Sequence, residues 1–145
     1  MKTNEVPQDK AFFEEGKIRD VCYAIDENGQ YTKVLSLGWE PKNEAIKLSW
    51  DVVYKRVEEV RNEVMAGKLS PIAFYMELNV MDVSIVSAYT GIPKRKVRKH
   101  LKMKKFQELT PEVLQQYATT FNVTVDELKD LEKIKKFVTI QVDRL

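Results

Sequence analysis

The sequence predicts a mainly α-helical chain, α+β overall. A β-hairpin and a long helix precede a cluster of four to five short helices, and a strand closes the chain. Three observations predict it. Asn28-Gly29 lies between two stretches rich in Val, Tyr, Ile and Leu, the strongest short-range hairpin signal. Ile46, Trp50, Val53, Val57, Val60 and Val64 recur at spacings of 4, 3, 4, 3 and 4, which puts them on one side of a helix. Ser70-Pro71, Asp82, Ile92-Pro93, Thr110-Pro111 and Thr124 each open a helical pattern with residues that cap or begin helices.

Residues 1–16 are polar apart from Phe12-Phe13 and read as a flexible lead-in with one helical turn. The hairpin covers 17–39, as Ile18 to Ile25, the turn Asp26 to Gln30, and Tyr31 to Trp39. Two strands alone are marginal in water, so the hairpin needs a third element or a second copy of itself. Pro41 or Asn43 starts the long helix and Gly67 ends it. Its apolar stripe fits a core surface packed on the hairpin and the later helices. Three heptads also suffice for a helical dimer seam. Trp39 and Trp50 flank the start of this helix and read as core anchors. Lys136 to Val142 reads as a strand pairing with the hairpin of its own or of a second chain, so that the two ends of the chain meet. Residues 1–69 are thus a hairpin-plus-helix region open to dimerisation or partner binding, 70–131 a helical domain, and 132–145 a tail.

The densest signal lies between Asp82 and Lys105. Asp82 caps a helix with Val83, Val86 and Tyr89 inward. Thr90-Gly91 breaks the pattern and Ile92-Pro93 restarts it, with Pro93 in the first turn, where its missing N–H costs nothing. The second helix, Pro93 to about Met103, carries the basic residues. Lys94, Arg95, Lys96, Arg98, Lys99, Lys102, Lys104 and Lys105 fill eight of the twelve positions from 94 to 105. Ile92 and Val97 face inward, and Ser87 is small enough to let the two helices approach. Two short helices joined at a glycine, the second basic, have the sequence form of a helix-turn-helix. Such a helix fits the major groove of double-stranded DNA, where Arg pairs with guanine and Lys with phosphate.

Val86-Ser87, Gly91-Ile92-Pro93 and Val97 resemble the helix-turn-helix of phage-repressor-type (Xre-like, lambda-repressor-like) regulators. Leu109-Thr110-Pro111, Leu114, Tyr117-Ala118, Phe121 and Val123 to Leu128 resemble the last two helices of that domain. The resemblance covers about residues 70–131. It implies a buried first helix around Ile72, Phe74, Tyr75, Leu78, Val80 and Met81, and a homodimer on two half-sites. Where the family has a glutamine near the start of the second helix, this chain has Val83 and Ser84. His100 and Leu101 stand where the family has an apolar residue and Glu, and the 102–108 linker is more basic than the family's.

Charge and composition narrow the function classes. The net charge of 145 residues is only +2, but eight basic side chains against Glu108 give residues 92–109 a net +7. A patch of that density attracts a polyanion. No apolar run is long enough for a transmembrane helix, and MKTNEVPQDK has no apolar signal core. Cys22 is the only cysteine, so no internal disulfide forms, and a cytoplasmic location is the simplest reading. One Cys and one His, His100, make no metal site. His100 inside the basic helix reads as a DNA contact or a half-buried spacer, not as a catalytic base. No phosphate-binding glycine loop is present. No enzyme, cofactor, metal or membrane role is therefore expected.

The expected function is sequence-specific binding of double-stranded DNA by a homodimeric transcriptional regulator. Lys94, Arg95, Arg98 and Lys99 are expected to face bases and phosphates. Lys102, Lys104 and Lys105 neutralise backbone at the helix exit, and Ser84 and Asn79 bond a flanking phosphate. Two alternatives remain open. One is a protein-interaction adaptor whose basic helix binds an acidic partner. The other is an antitoxin-like regulator that binds a partner protein through the N-terminal region.

Overall fold

A computed structural model describes residues 1–9 and 19–137. Among these residues the chain is mainly helical, with one two-stranded antiparallel hairpin. Its described residues divide into two compact units, one up to Asp51 and one from Val52 to Phe137. No helix among the described residues is long and apolar enough to cross a membrane.

In the first unit, β1 (Asp20–Ile25) pairs with β2 (Tyr31–Ser36) in the register Val21↔Leu35, Cys22↔Val34, Tyr23↔Lys33 and Ile25↔Tyr31. The turn forms because the Asp26 carboxylate accepts from the N–H groups of Asn28 and Gln30, both at 2.9 Å, while Gly29 takes φ 76°. One face turns inward, with Ala24 and Ser36 buried. The other exposes Val21, Tyr23, Tyr31 and Leu35. The second strand stops at Ser36, short of the expected Trp39, and Trp39 is half exposed instead of anchoring a core.

The N-terminal residues are not a free lead-in. Met1 accepts from Ile25 N–H and Lys2 bridges the same residue, so this stretch lies along β1. Thr3–Glu5 form a 3-10 turn and Val6 is buried. Gln8 donates to the Leu35 carbonyl at 2.8 Å and accepts from Leu37 N–H at 3.1 Å. The expectations for 10–18, Phe12-Phe13 included, and for a strand over 138–142 lie outside the described residues. Lys136 itself is helical, and Phe137 caps that helix.

Helix α1 (Glu40–Met65) starts in the first unit and ends in the second. In the second unit Val57 and Val64 of its stripe are buried, and Val53 and Val60 pack on the same core. This half of the stripe is core surface, not a seam. Gly67 follows at φ 73°, with Lys68 N–H bonded to Glu63 O and Gly67 N–H to Val64 O.

Helix α2 (Pro71–Leu78) buries Pro71 through Met76 without a break, as a helix apolar all round must. It ends earlier than expected. Val80 turns to φ 52° and is exposed, while Met81 N–H reaches back to Met76 O. Helix α3 spans Val83–Thr90, α4 Lys94–His100, α5 Met103–Phe106, α6 Pro111–Thr120, α7 Val125–Lys129 and α8 Leu131–Lys136. Val86, Ile92, Val97, Leu114, Tyr117, Ala118, Phe121 and Leu128 are buried, as their spacing predicts. Thr124 and Glu127 form the expected capping box. The last helix was not expected. Asp130 caps it by accepting from Lys133 N–H at 3.0 Å, and it buries Ile134.

Candidate nucleic-acid interface

The basic residues lie on α4 and around α5, and α3 with a three-residue turn leads into α4. Asp82 accepts from Ile85 N–H at 2.8 Å and so fixes the start of α3. Its inward side is Val83, Val86 and Thr90. Tyr89, expected inward, is 73% exposed, because Thr90 occupies the position one turn after Val86. The Thr90 hydroxyl donates to Val86 O at 2.7 Å and accepts from Ile92 N–H at 3.1 Å. Ser87 donates to Ile92 O at 2.7 Å, a tie across the turn as well as a close approach. Gly91, at φ 72°, reverses the chain in a conformation that a side chain would strain.

Pro93 lies outside the first helical turn. Its extended ψ of 138° makes it the residue before α4, and its carbonyl accepts from the N–H groups of Lys96 and Val97. The helix is also shorter than expected, ending at His100. Ser70 decides this. Its hydroxyl donates to His100 O at 2.7 Å and its N–H to Leu101 O at 2.8 Å, while Leu69 bridges Lys102. These bonds take the carbonyls at the end of α4 and turn the chain into α5. Ser70 therefore serves the end of α4, and its side chain makes no cap bond to α2.

Successive residues of α4 turn by about 100°. With Val97 inward, Arg95 and Lys99 point about 160° away from it on either side, the most outward of the set. Lys94 and Arg98 flank one side, and Lys96 and His100 the other. Lys102, Lys104 and Lys105 lie beyond the break, around α5, and not on one continuous basic helix. All eight basic side chains are exposed. Lys105 pairs with Glu108 at 2.6 Å. Among the described residues the other seven make no ion pair. Ser84 is exposed in the first turn of α3, on a different helix from the basic set. Asn79 is engaged elsewhere, because its amide donates to Tyr75 O at 2.7 Å and closes α2.

His100 is half buried at the end of α4. Its Nδ1 lies 2.9 Å from the Tyr117 hydroxyl of α6. Burial, with a contribution from Lys96, holds its pKa below the ordinary histidine value, and burial raises that of Tyr117, so both are neutral at pH 7. Tyr117 was readable as core, but its hydroxyl partner was not. A buried tyrosine hydroxyl seeks a partner, which is the one signal that pointed to His100.

A groove of about 530 Å³ lies beside α4 and reaches α6, with Lys96, Lys99 and Gln116 among its lining residues. Nothing in the sequence marked it, because its walls come from segments 91–100 and 105–116 brought together by folding. Comparison with protein-family models, curated proteins and solved structures found no match to the chain.

Proposed function

We propose that residues 70–131 form a phage-repressor-type helix-turn-helix domain that binds double-stranded DNA with α4 in the major groove. The observation that carries this reading is the set Lys94, Arg95, Lys96, Arg98, Lys99, Lys102 and Lys104. All are exposed, and none has a carboxylate partner among the described residues. A solvated surface intersperses both signs. Unpaired cations along a helix that crosses a groove-sized face suit a polyanion. The left-handed Gly91 between α3 and α4 and the buried Ile92 and Val97 also fit the motif.

In this reading Arg95 and Lys99 reach the bases, Lys94, Lys96 and Arg98 contact the flanking backbone, and Lys102, Lys104 and Lys105 neutralise phosphates past the end of α4. Ser84 bonds a phosphate from the start of α3. The reading pairs this domain with a second copy, as a cytoplasmic homodimer that regulates transcription from two half-sites about one helical turn apart. Selection from a pool of random duplexes tests it. Recovery of a motif with two related half-sites is expected, and a pool that fails to enrich contradicts it.

A second reading has its own support. The hairpin exposes Val21, Tyr23, Tyr31 and Leu35 on one face. This favours residues 1–69 as a region for self-association or for a partner protein, as in an antitoxin-like regulator.

A further inference from the structure

The floor of the groove beside α4 is apolar, built from Ile92, Leu109 and Val113. Lys96 and Lys99 stand on its α4 side and Gln116 on its α6 side, and its lining also includes Lys105 and Glu108, whose opposite charges meet each other at 2.6 Å. Among the described residues neither Lys96 nor Lys99 meets a carboxylate, and the Gln116 amide has no hydrogen-bond partner. Its volume of about 530 Å³ suits a small molecule. Sites for such ligands run from roughly 300 to 1,000 Å³ and combine an apolar lining with a few convergent polar groups.

We propose that this groove binds a small organic anion with an apolar body. The anionic group sits between Lys96, Lys99 and the Gln116 amide, and the body covers Ile92, Leu109 and Val113. A bare inorganic anion would leave that floor uncovered, so the site discriminates by the apolar part. Lys96 and Lys99 also belong to the set offered to DNA, so an occupied groove lowers DNA affinity. This consequence rests on the DNA-binding reading; the binding of the anion does not.

The test titrates the full, isotope-labelled chain with phenyl phosphate and, at matched ionic strength, with inorganic phosphate, following amide chemical shifts. Phenyl phosphate is expected to give saturating shifts at Ile92, Lys99, Leu109 and Val113, with inorganic phosphate giving none that saturate. Gln116 is exposed, so Gln116→Glu leaves the fold intact. It is expected to weaken phenyl phosphate about tenfold through like-charge repulsion. Equal responses to the two anions, or shifts that saturate elsewhere, overturn the proposal. A labelled duplex added to parallel samples separates the two readings. Duplex binding without phenyl phosphate binding removes the groove site alone. Phenyl phosphate binding without duplex binding removes the DNA reading alone and leaves the site standing.

Discussion

The imidazole Nδ1 of His100 lies 2.9 Å from the Tyr117 hydroxyl, and the two rings meet edge to face at 5.9 Å between centroids. This contact ties the last turn of α4 to the middle of α6. Val97, wholly buried, and the Ser70 hydroxyl on the His100 carbonyl hold the same turn. Arg95 and Lys99 are thus carried by a short helix anchored from its opposite side.

Tyr117→Phe removes the hydroxyl and leaves His100 Nδ1 half buried without its partner. The expected cost is about 1–2 kcal/mol, the usual penalty for a lost buried hydrogen bond. It is read as a lower urea midpoint at unchanged slope. An unchanged midpoint contradicts the role given to this pair.

His100 also sets a pH dependence. Its folded pKa is below the ordinary 6.5, with burial the main cause and Lys96 second. The unfolded chain therefore takes up the proton first as pH falls. Stability is full above about 6.5 and declines below it, toward the lower folded value. Urea midpoints between pH 7.5 and about 5 check this, and His100→Gln is expected to flatten the decline. A midpoint that rises on acidification contradicts the sign.

Val80 stands where a helix end favours glycine. The same closing pattern ends α1 at Gly67 and α6 at Asn122, whose φ is 55°. Val80 takes φ 52° and is 57% exposed, so its side chain contributes strain and little packing. A β-branched residue there costs about 1–2 kcal/mol, against roughly 0.5–1 for the entropy of a glycine. Val80→Gly is expected to stabilise the chain by up to about 1 kcal/mol, and Val80→Asn to move in the same direction. A lower melting temperature for Val80→Gly would show that the valine packs against something.

How much was legible follows from which signals are local. The Asn28-Gly29 turn, the Asp82 and Thr124 caps, the left-handed Gly91 and the buried Val86 and Val97 all depend on neighbours within a few residues, and the sequence carries them. The break after His100 does not. It depends on Ser70, thirty residues earlier, taking the carbonyl of His100. Periodicity alone therefore runs α4 on to Met103. Apolar character alone places Tyr89 inward, but Thr90, whose hydroxyl is satisfied inside the turn, takes the buried position. The N-terminal strap leaves little hydrophobic pattern, because apart from the buried Val6 its contacts run through backbone groups and polar side chains such as Gln8. The groove of 91–116 was invisible for the same reason as the His100–Tyr117 contact, since both join elements distant in sequence.

The capping box of α7 gives a second, more acidic window. The Glu127 carboxylate is bonded by Lys133 Nζ at 2.5 Å and by Thr124 N–H at 2.9 Å, which lowers its pKa to about 2. Its contribution is present above the unfolded value of 4.5 and is lost as pH falls toward 2. Thr124→Ala is expected to cost about 1 kcal/mol at neutral pH. Glu127→Gln is expected to remove part of the stability loss between pH 4.5 and 2, and an acid unfolding profile identical to the parent's contradicts it.

In the proposed placement of α4, its exposed cations and those at its exit meet the phosphates and bases of duplex DNA. The most direct test is the salt dependence of binding to a fluorescent duplex of about 25 base pairs, since each neutralised phosphate contributes about −0.9 to the log–log slope. The predicted result is a slope of about −4 or steeper, flattened by Lys94→Ala, Arg98→Ala and Lys99→Ala. On a selected site, Arg95→Ala is expected to cost a further 1–3 kcal/mol or so. No binding at low salt, or a slope that these substitutions leave unchanged, would contradict this placement.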